Sequence, residues 1–375
     1  RGGYIMSNKK YKFAIIETGM IANAAHLPAL DNLRRQGLVE IIGAADIRPE
    51  AVYETAKRYD IPNAYTDPAK MLEELQPDVV SVCTPNAYHK HWTIEALKAG
   101  CDVLCEKPLT VTLKDAKEMF DTAKKYGKKL YPAQSMRWRN FIEYAKNIIS
   151  DGWIGTPCFC DMSFIRRYGI PTWGMFHMKE HNYGGPFCDL GVHYIDSLLW
   201  LTGNPKITTI SGNTYKKIAG KGEDVLYSVA ESGAPSGLFT PRPYDYREFT
   251  VEKFATGSFR MEGGFSVNFK FSWAVNLPSS GFSMQIAGDK GGLVIEKNML
   301  IRNVGRYQSE IELKPYDNRP NNEKNFSQHW FMYEHLIRVL NGEEEYRVKP
   351  EETLNVVAAI EGFYKSAELN REVVL

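Results

Sequence analysis

The sequence predicts an α/β fold in two parts, a doubly wound parallel sheet followed by an α+β unit with a large open, mainly antiparallel sheet. Three observations lead there. The 375 residues exceed what one hydrophobic core usually serves. From residue 11 to about 130, short apolar runs alternate with amphipathic stretches, as parallel strands alternate with crossover helices. After about residue 132 that rhythm gives way to clustered strand-like runs joined by turn signals. The expected division is a tag or disordered start over 1–9, a first domain over 10–131 and a second over 132–375. Met6 marks Arg1–Ile5 as an expected tag remnant, and the start "RGGYIMSNKK" lacks the apolar core of a secretion signal.

The elements follow in order. "KFAII" is a strand, and "GMIANAAHLPALDNL" enters a helix with Pro28 as a break. "VEIIGAAD" is a second strand. "RPEAVYETAKRY" is an amphipathic helix with Ala51, Val52, Thr55, Ala56 and Tyr59 on one face. "DVVSVCTP" is a β-branched strand closed by Pro85, and "HKHWTIEALKAG" a helix stopped by Gly100. "CDVLCEKP" is a strand halted by Pro108. "TLKDAKEMFDTAKKYG" is a helix capped by Thr112 and ended by Gly127, and "KKLYPAQ" is a further strand. In the second part, "NFIEYAKNIISDG" and "GPFCDLGVHYIDSLLWLTG" are helices on either side of the strand "TPCFCDMSFI". The runs "ITTISGNTY", "EKFATGSFRM", "FSVNFKFSW", "FSMQIAGDKGGLVIE" and "MLIRNV" are strands, and "SGAPSGLFTPRPYDYRE" is a long loop, a type usually functional or mobile. Two helical patterns, "FSQHWFMYEHLIRVLNG" and "PEETLNVVAAIEGFYKSAELN", close the chain.

Composition excludes some partners. The 46 basic and 45 acidic side chains leave +1, which gives no footprint for nucleic acid or an anionic membrane. No apolar run approaches membrane-span length. Six cysteines form no C-x-x-C pair and suit a reduced, cytoplasmic protein.

The turn after the first strand reads Glu17-Thr18-Gly19-Met20-Ile21-Ala22, a G-x-G-x-x-G/A dinucleotide frame with glutamate at its first position. Asp46, 24 residues beyond Ala22, ends the second strand, where a carboxylate accepts the adenosine ribose hydroxyls and favours NAD. Arg48 nearby leaves NADP as the alternative; Asp46 also suits a helix cap. In an open parallel sheet ligands sit at the carboxyl ends of strands. That places Thr84, Pro85, Asn86 and His89 in one turn and Glu106 with Lys107 in another, and Gln134 follows the last strand. The expected cofactor contacts are thus Thr18, Gly19, Met20, Ile21, Asp46, Arg48, Thr84, Pro85, Asn86, His89, Glu106, Lys107 and Gln134.

In "GGPFCDLGVHYID", Asp189 and His193 stand four apart, on one face of a helix. The alternative is a core histidine held by its carboxylate neighbour. The ordered set of glycine turn, "EKP" and "GGP-F-x-D-x-G-V-H-x-x-D" resembles the Gfo/Idh/MocA family over nearly the whole chain, from Lys10 to Leu375. The resemblance implies a Rossmann domain, NAD(P), oxidation of a secondary hydroxyl of a sugar or cyclitol, and a homo-oligomer (dimer, tetramer or hexamer) paired through the open sheet. It implies that Lys107 favours ionisation of the reacting hydroxyl, that His193 exchanges its proton, and that Asp189 positions both. Independent chemistry agrees: hydride removal from a carbinol leaves a proton for imidazole to take, and an ammonium steadies the alkoxide.

The stretch "IRRYGIPTWGMFHMKEHNYGGP" resembles a sub-group that acts at C3 of glucosides and C-glycosides. It offers Arg167, Tyr168, Trp173 and Tyr183 as polyol contacts beside Lys107, Asp189 and His193; the alternative makes Trp173 and Phe176 a plug between domains. "HMKEH" has an inverted zincin spacing, but Gly174 and Gly184–Gly185 leave too little helix, so no metal is expected, and His177, Lys179 and His181 become substrate or loop residues. The leading reading is a sugar or glycoside dehydrogenase. Its competitors are an NAD-dependent glycosidase working by transient C3 oxidation and a non-catalytic nucleotide-binding regulator. Glu17 is expected to aim its carboxylate away from the phosphates, toward solvent or a cation such as Lys107 or Arg48. On that view Glu17→Gly tightens NAD binding.

Overall fold

The computed structural model describes residues 9–217, 240–314 and 327–375. The expectations for residues 1–8 and for the first half of the "SGAPSGLF" loop lie outside the described residues. The first sheet is built from β1 (Tyr11–Ile16), β2 (Val39–Ala45), β3 (Ala64–Tyr65), β4 (Val79–Val82), β5 (Asp102–Glu106) and β6 (Leu130–Ala133). All pairs are parallel and the order is β3-β2-β1-β4-β5-β6, the doubly wound arrangement. Connecting helices are α1 (Leu27–Arg35), α2 (Pro49–Arg58), α3 (Pro68–Leu75), α4 (Asn86–Lys98) and α5 (Leu113–Lys125). β4 is buried throughout, as a strand covered on both faces must be. Thr112 caps α5 by accepting from the Asp115 N–H.

Pro28 is not a break. A π turn over Ala22–His26 precedes α1, with the Leu27 N–H bonded back to the Ala22 carbonyl. Helical backbone thus runs without interruption from Met20 to Arg35, with Pro28 just after the π turn.

The second sheet has nine strands in the order β14-β13-β12-β11-β7-β10-β9-β8-β15. These are β7 (Pro157–Ile165), β8 (Ile207–Tyr215), β9 (Phe254–Met261), β10 (Ser266–Ser272), β11 (Ser280–Gly288), β12 (Gly292–Val294), β13 (Met299–Val304), β14 (Tyr307–Glu312) and β15 (Val373–Val374). Its pairs are antiparallel except β7 with β10. Helices α6 (Asn140–Ser150), α7 (Lys179–Asn182), α8 (Val192–Thr202), α9 (Ser327–Leu340) and α10 (Pro350–Leu369) complete the fold. In β10, Val267, Phe269 and Phe271 are buried and Ser266, Asn268 and Lys270 exposed, so one face carries the core and the other stays open. Ile195, Leu198 and Leu199 of α8 and Ile360 and Phe363 of α10 fill that core. Phe187 stacks on Phe363 at 3.7 Å between ring centres.

α9 follows β14 in the chain but packs under the first sheet: Met332, Tyr333, Leu336 and Ile337 join Phe13, Ile15 and Leu30. The domain boundary near residue 131 remains a proposal, because the first sheet's core borrows this late helix. No described helix is long and apolar enough to cross a membrane.

Candidate active site

At the carboxyl ends of the parallel strands a cleft of about 730 Å³ opens between the two sheets. β5 delivers Lys107 to its floor, before a cis Lys107–Pro108 bond. From the other side comes the segment that leads into α8. Its glycines are sterically required: a β-carbon on Gly185 would stand 2.0 Å from the Glu252 carbonyl oxygen. A π turn over Phe187–Gly191 then carries Asp189, and His193 sits in the first turn of α8. Such π turns concentrate at functional sites.

The two segments meet. Lys107 Nζ donates to the Asp189 carbonyl at 2.8 Å and to Asp189 Oδ1 at 3.1 Å. Trp273 Nε1 donates to Asp189 Oδ2 at 3.0 Å. Burial would raise the Asp189 pKa, but Lys107, Arg166 and the Trp273 bond together lower it, so the carboxylate is ionised. His193 is pushed well below the ordinary imidazole value, by burial first and then by the Lys107 charge. It is neutral at pH 7, and its Nδ1 has no hydrogen-bond partner among the described residues. The carboxylate neighbour thus holds the lysine and the indole, which disfavours the reading of a passive Asp–His core pair.

Glu106, beside Lys107, is held from three sides. Its Oε1 meets His26 Nε2 at 2.9 Å and His329 Nε2 at 3.3 Å, and its Oε2 accepts the Lys107 N–H at 3.0 Å. Burial opposes ionisation, yet the two imidazoles carry its pKa well below the usual carboxylate range. His26, Glu106 and His329 are the one cluster of metal-ligating side chains among the described residues, and they already bond one another.

The cofactor end tests whether a dinucleotide fits. Gly19 carries no side chain and has only that of Glu17 against it, and Met20 and Ile21 open a helix whose first N–H groups lack intrahelical partners, the usual anion seat. Asp46 Oδ2 accepts the Thr18 N–H at 2.9 Å and the Thr18 hydroxyl at 3.0 Å, and Oδ1 accepts the Arg48 N–H at 2.9 Å. The carboxylate is thereby fixed at the cleft edge of β2. The Thr84 hydroxyl is buried on the cleft wall with no partner among the described residues. These groups fit an NAD.

Glu17 departs from expectation. Its backbone is left-handed, φ 74°, which costs a side-chain-bearing residue roughly 1–2 kcal/mol. It pairs with neither expected cation: Lys107 holds Asp189, and Arg48 lies 3.7 Å from Asp46 and donates to the Thr240 carbonyl. Burial, reinforced by Asp46 and opposed by Arg48, pushes the Glu17 pKa up to about 8. Near neutrality most of it is the uncharged acid, so the like-charge conflict with a phosphate falls away.

Of the residues expected from sequence, Gly19, Met20, Ile21, Asp46, Arg48, Thr84, Pro85, Asn86, His89, Glu106, Lys107, Trp173, Asp189 and His193 line the cleft. His89 and Asn86 are largely committed to the protein: the His89 ring lies between the Pro108 and Thr84 carbonyls, and Asn86 donates to the Asn182 carbonyl. Thr18 is fully buried behind Asp46, and Gln134 is buried off the cleft. Arg167 and Tyr168 do not line it; the register of β7 continues past Ile165, and alternation puts Arg166 on the cleft face with Phe164 and Arg167 on the other, while Tyr168 bridges to Ala274. Tyr183, at the end of α7, also lies outside. His177 is buried 3.5 Å from Glu248, and His181 meets the Tyr88 hydroxyl at 2.9 Å; α7 is four residues long, too short for a zincin helix. Reading the sequence missed Arg139, Arg166, Tyr194, Arg242, Gln328 and His329 on the cleft wall. Strand alternation could have found Arg166; nothing local marks the others.

A two-domain NAD-binding oxidoreductase is the class that this fold and cleft define. Residues 11–134 match the oxidoreductase family with an NAD-binding Rossmann fold, and residues 142–294 match the GFO/IDH/MocA C-terminal domain. The D-glucoside 3-dehydrogenase of Escherichia coli strain K12 is 31% identical over 291 residues, 77% of this chain and 78% of that protein. The chain belongs to the Gfo/Idh/MocA oxidoreductase family. Levoglucosan dehydrogenase in complex with NADH matches with a TM-score of 0.80 at 17% identity, over 98% of this chain and 99% of that one. An oxidoreductase domain protein from Kribbella flavida matches at 0.78 and 21%, over 97% and 99%. At these identities the solved structures speak to the fold alone.

Proposed function

We propose that the protein is an NAD-dependent dehydrogenase that oxidises a secondary hydroxyl of a sugar or glycoside, with the C3 hydroxyl of a glucoside as the leading candidate. The observation that carries this reading is the convergence of Lys107, Asp189 and a neutral His193 on one cleft beside a dinucleotide seat. The 31% identity to a D-glucoside 3-dehydrogenase supports the substrate class.

When bound, NAD supplies the hydride acceptor. His193 takes the hydroxyl proton, and its depressed pKa keeps it ready to do so at neutral pH. Lys107 steadies the developing alkoxide, while Asp189 fixes the ammonium through two hydrogen bonds. Trp173, 6% exposed, offers an aromatic wall for a sugar ring and an indole N–H without a partner among the described residues. We retain a homo-oligomer through the open sheet and a cytoplasmic setting, supported by the exposed face of β10 and six free thiols.

The test is a panel of glucosides, free sugars and cyclitols with NAD, read as NADH formation, with product mapping of the oxidised carbon. Lys107→Met should lower kcat about 10²–10⁴-fold while the protein still binds NAD. A panel without turnover by a protein that binds NAD would refute the dehydrogenase. Release of free sugar without net NADH would favour the glycosidase instead.

A further inference from the structure

Glu17 occupies the place of the fingerprint's first glycine and keeps a left-handed backbone, φ 74°. Its side chain lies over the bare backbone of the next glycine, with Oε1 3.1 Å from where a Gly19 β-carbon would stand, on the cleft wall. The charged and titratable groups facing it are Asp46 and Arg48 beyond β2 and the Cys83 thiol beyond β4. Asp46 is engaged by Thr18 and the Arg48 backbone, and the Arg48 guanidinium reaches Asp46 and the Thr240 carbonyl. A group that approaches Gly19 therefore meets the Glu17 carboxyl. As a carboxylate it would repel a phosphate; as an acid it offers an O–H.

We infer that Glu17 is a protonated hydrogen-bond donor to the diphosphate of NAD, so that holding the cofactor depends on one proton in the glycine turn. Burial and the adjacent Asp46 push this acid up to about 8, against Arg48, so the proton is present at pH 7 and leaves as pH rises through 8 to 9. Burial lifts the Cys83 thiol well above its ordinary value, out of that window.

The experiment is isothermal titration of the full chain with NAD from pH 6.5 to 9.5, without substrate. For one group near pKa 8 that must be protonated, the wild-type dissociation constant should rise about tenfold between pH 7 and pH 9. Glu17→Gln keeps an N–H donor and cannot ionise; it should bind at pH 7 within about threefold of wild type and lose the slope. Glu17→Gly removes donor and strained backbone together, so its affinity is not diagnostic. A flat wild-type profile overturns the inference, as does an equal slope in Glu17→Gln. The wild-type profile alone decides if that variant misfolds. Absence of NAD binding at every pH in folded wild type would overturn the cofactor site itself, and this inference with it.

Discussion

Removing Asp196 tests how the base is held over the cofactor domain. Arg137 lies in the turn that follows β6, and Asp196 lies one turn beyond His193 on α8. Both side chains are fully buried. Arg137 Nε donates to Asp196 Oδ2 at 2.9 Å and Nη2 to Oδ1 at 2.6 Å. Glu352 of α10 takes Nη1. Burial raises the Asp196 pKa even against this guanidinium, so the pair is costly to bury and its partners depend on each other. Loss of one partner from a buried pair costs about 3–5 kcal/mol, and because Glu352 remains we expect Asp196→Ala near about 3 kcal/mol. At about 2–4 °C per kcal/mol for a domain of this size, the melting temperature should fall about 6–12 °C, read by circular dichroism. Loosening α8 should also lower kcat of the surviving fold, since a shift of about 1 Å in a reacting group costs roughly 10²-fold. The double variant Arg137→Met/Asp196→Leu should recover most of the stability, because apolar replacement of a buried pair is often neutral. A loss under about 1 kcal/mol in Asp196→Ala, or a double variant as unstable as the sum of the singles, would refute the coupling.

Two further outcomes follow from the site. Trp273→Phe deletes the indole bond to Asp189 Oδ2, a bond to a charged acceptor worth about 1.5–3 kcal/mol, so kcat/KM should fall about tenfold or more with NAD affinity unchanged. Unchanged kcat/KM would show that Lys107 alone positions the carboxylate. For pH, His193 must be neutral to accept a proton and its folded pKa is depressed. Oxidation should therefore hold its rate as pH falls to 6.5 and decline only below that, and His193→Asn should abolish the acid limb. An acid limb centred above pH 6.5 in the wild type would contradict the burial argument.

What sequence could reveal here tracks how local the physics is. The strands β1, β2, β4, β5 and β6 are apolar runs with abrupt stops, and they were legible, as were α5 with its Thr112 cap and the helix that carries His193. The two-residue β3 and β15 have no run long enough to register, and β14 has Ile311 as its one aliphatic residue on an exposed edge. Arg166 rather than Arg167 reaches the cleft, and in a structure of period two that single position reverses the face. α9 was legible as a helix, but nothing in its spacing says that it packs beneath the first sheet, nor that His329 reaches the cleft. Glu17 was legible as an anomaly only; its charge state arises from burial and from Asp46, which stands 29 residues away.

The same distinction explains why the EKP turn needs its glutamate. In the proposed mechanism Lys107 acts through Nζ, and its backbone N–H is tied to Glu106 Oε2. The other Glu106 oxygen is held by His26, which comes from the π turn after the glycine frame, and by His329, which comes from α9. His26 in turn meets the Tyr333 hydroxyl at 2.7 Å, and Tyr333 meets Ser81 of β4 at 2.7 Å. Three separate segments, the π turn, α9 and β4, thus fix one strand end, and the bonds they bring are buried, where hydrogen bonds are strong and unsatisfied groups expensive. A lysine on a free loop would sample many positions with its long side chain; here its root is fixed by Glu106 and its tip by Asp189. The reach between them is the freedom left, and it spans the space between cofactor domain and catalytic helix. On the proposed mechanism the placement of Lys107 therefore rests on the packing of α9, although no residue of α9 carries a recognisable catalytic motif.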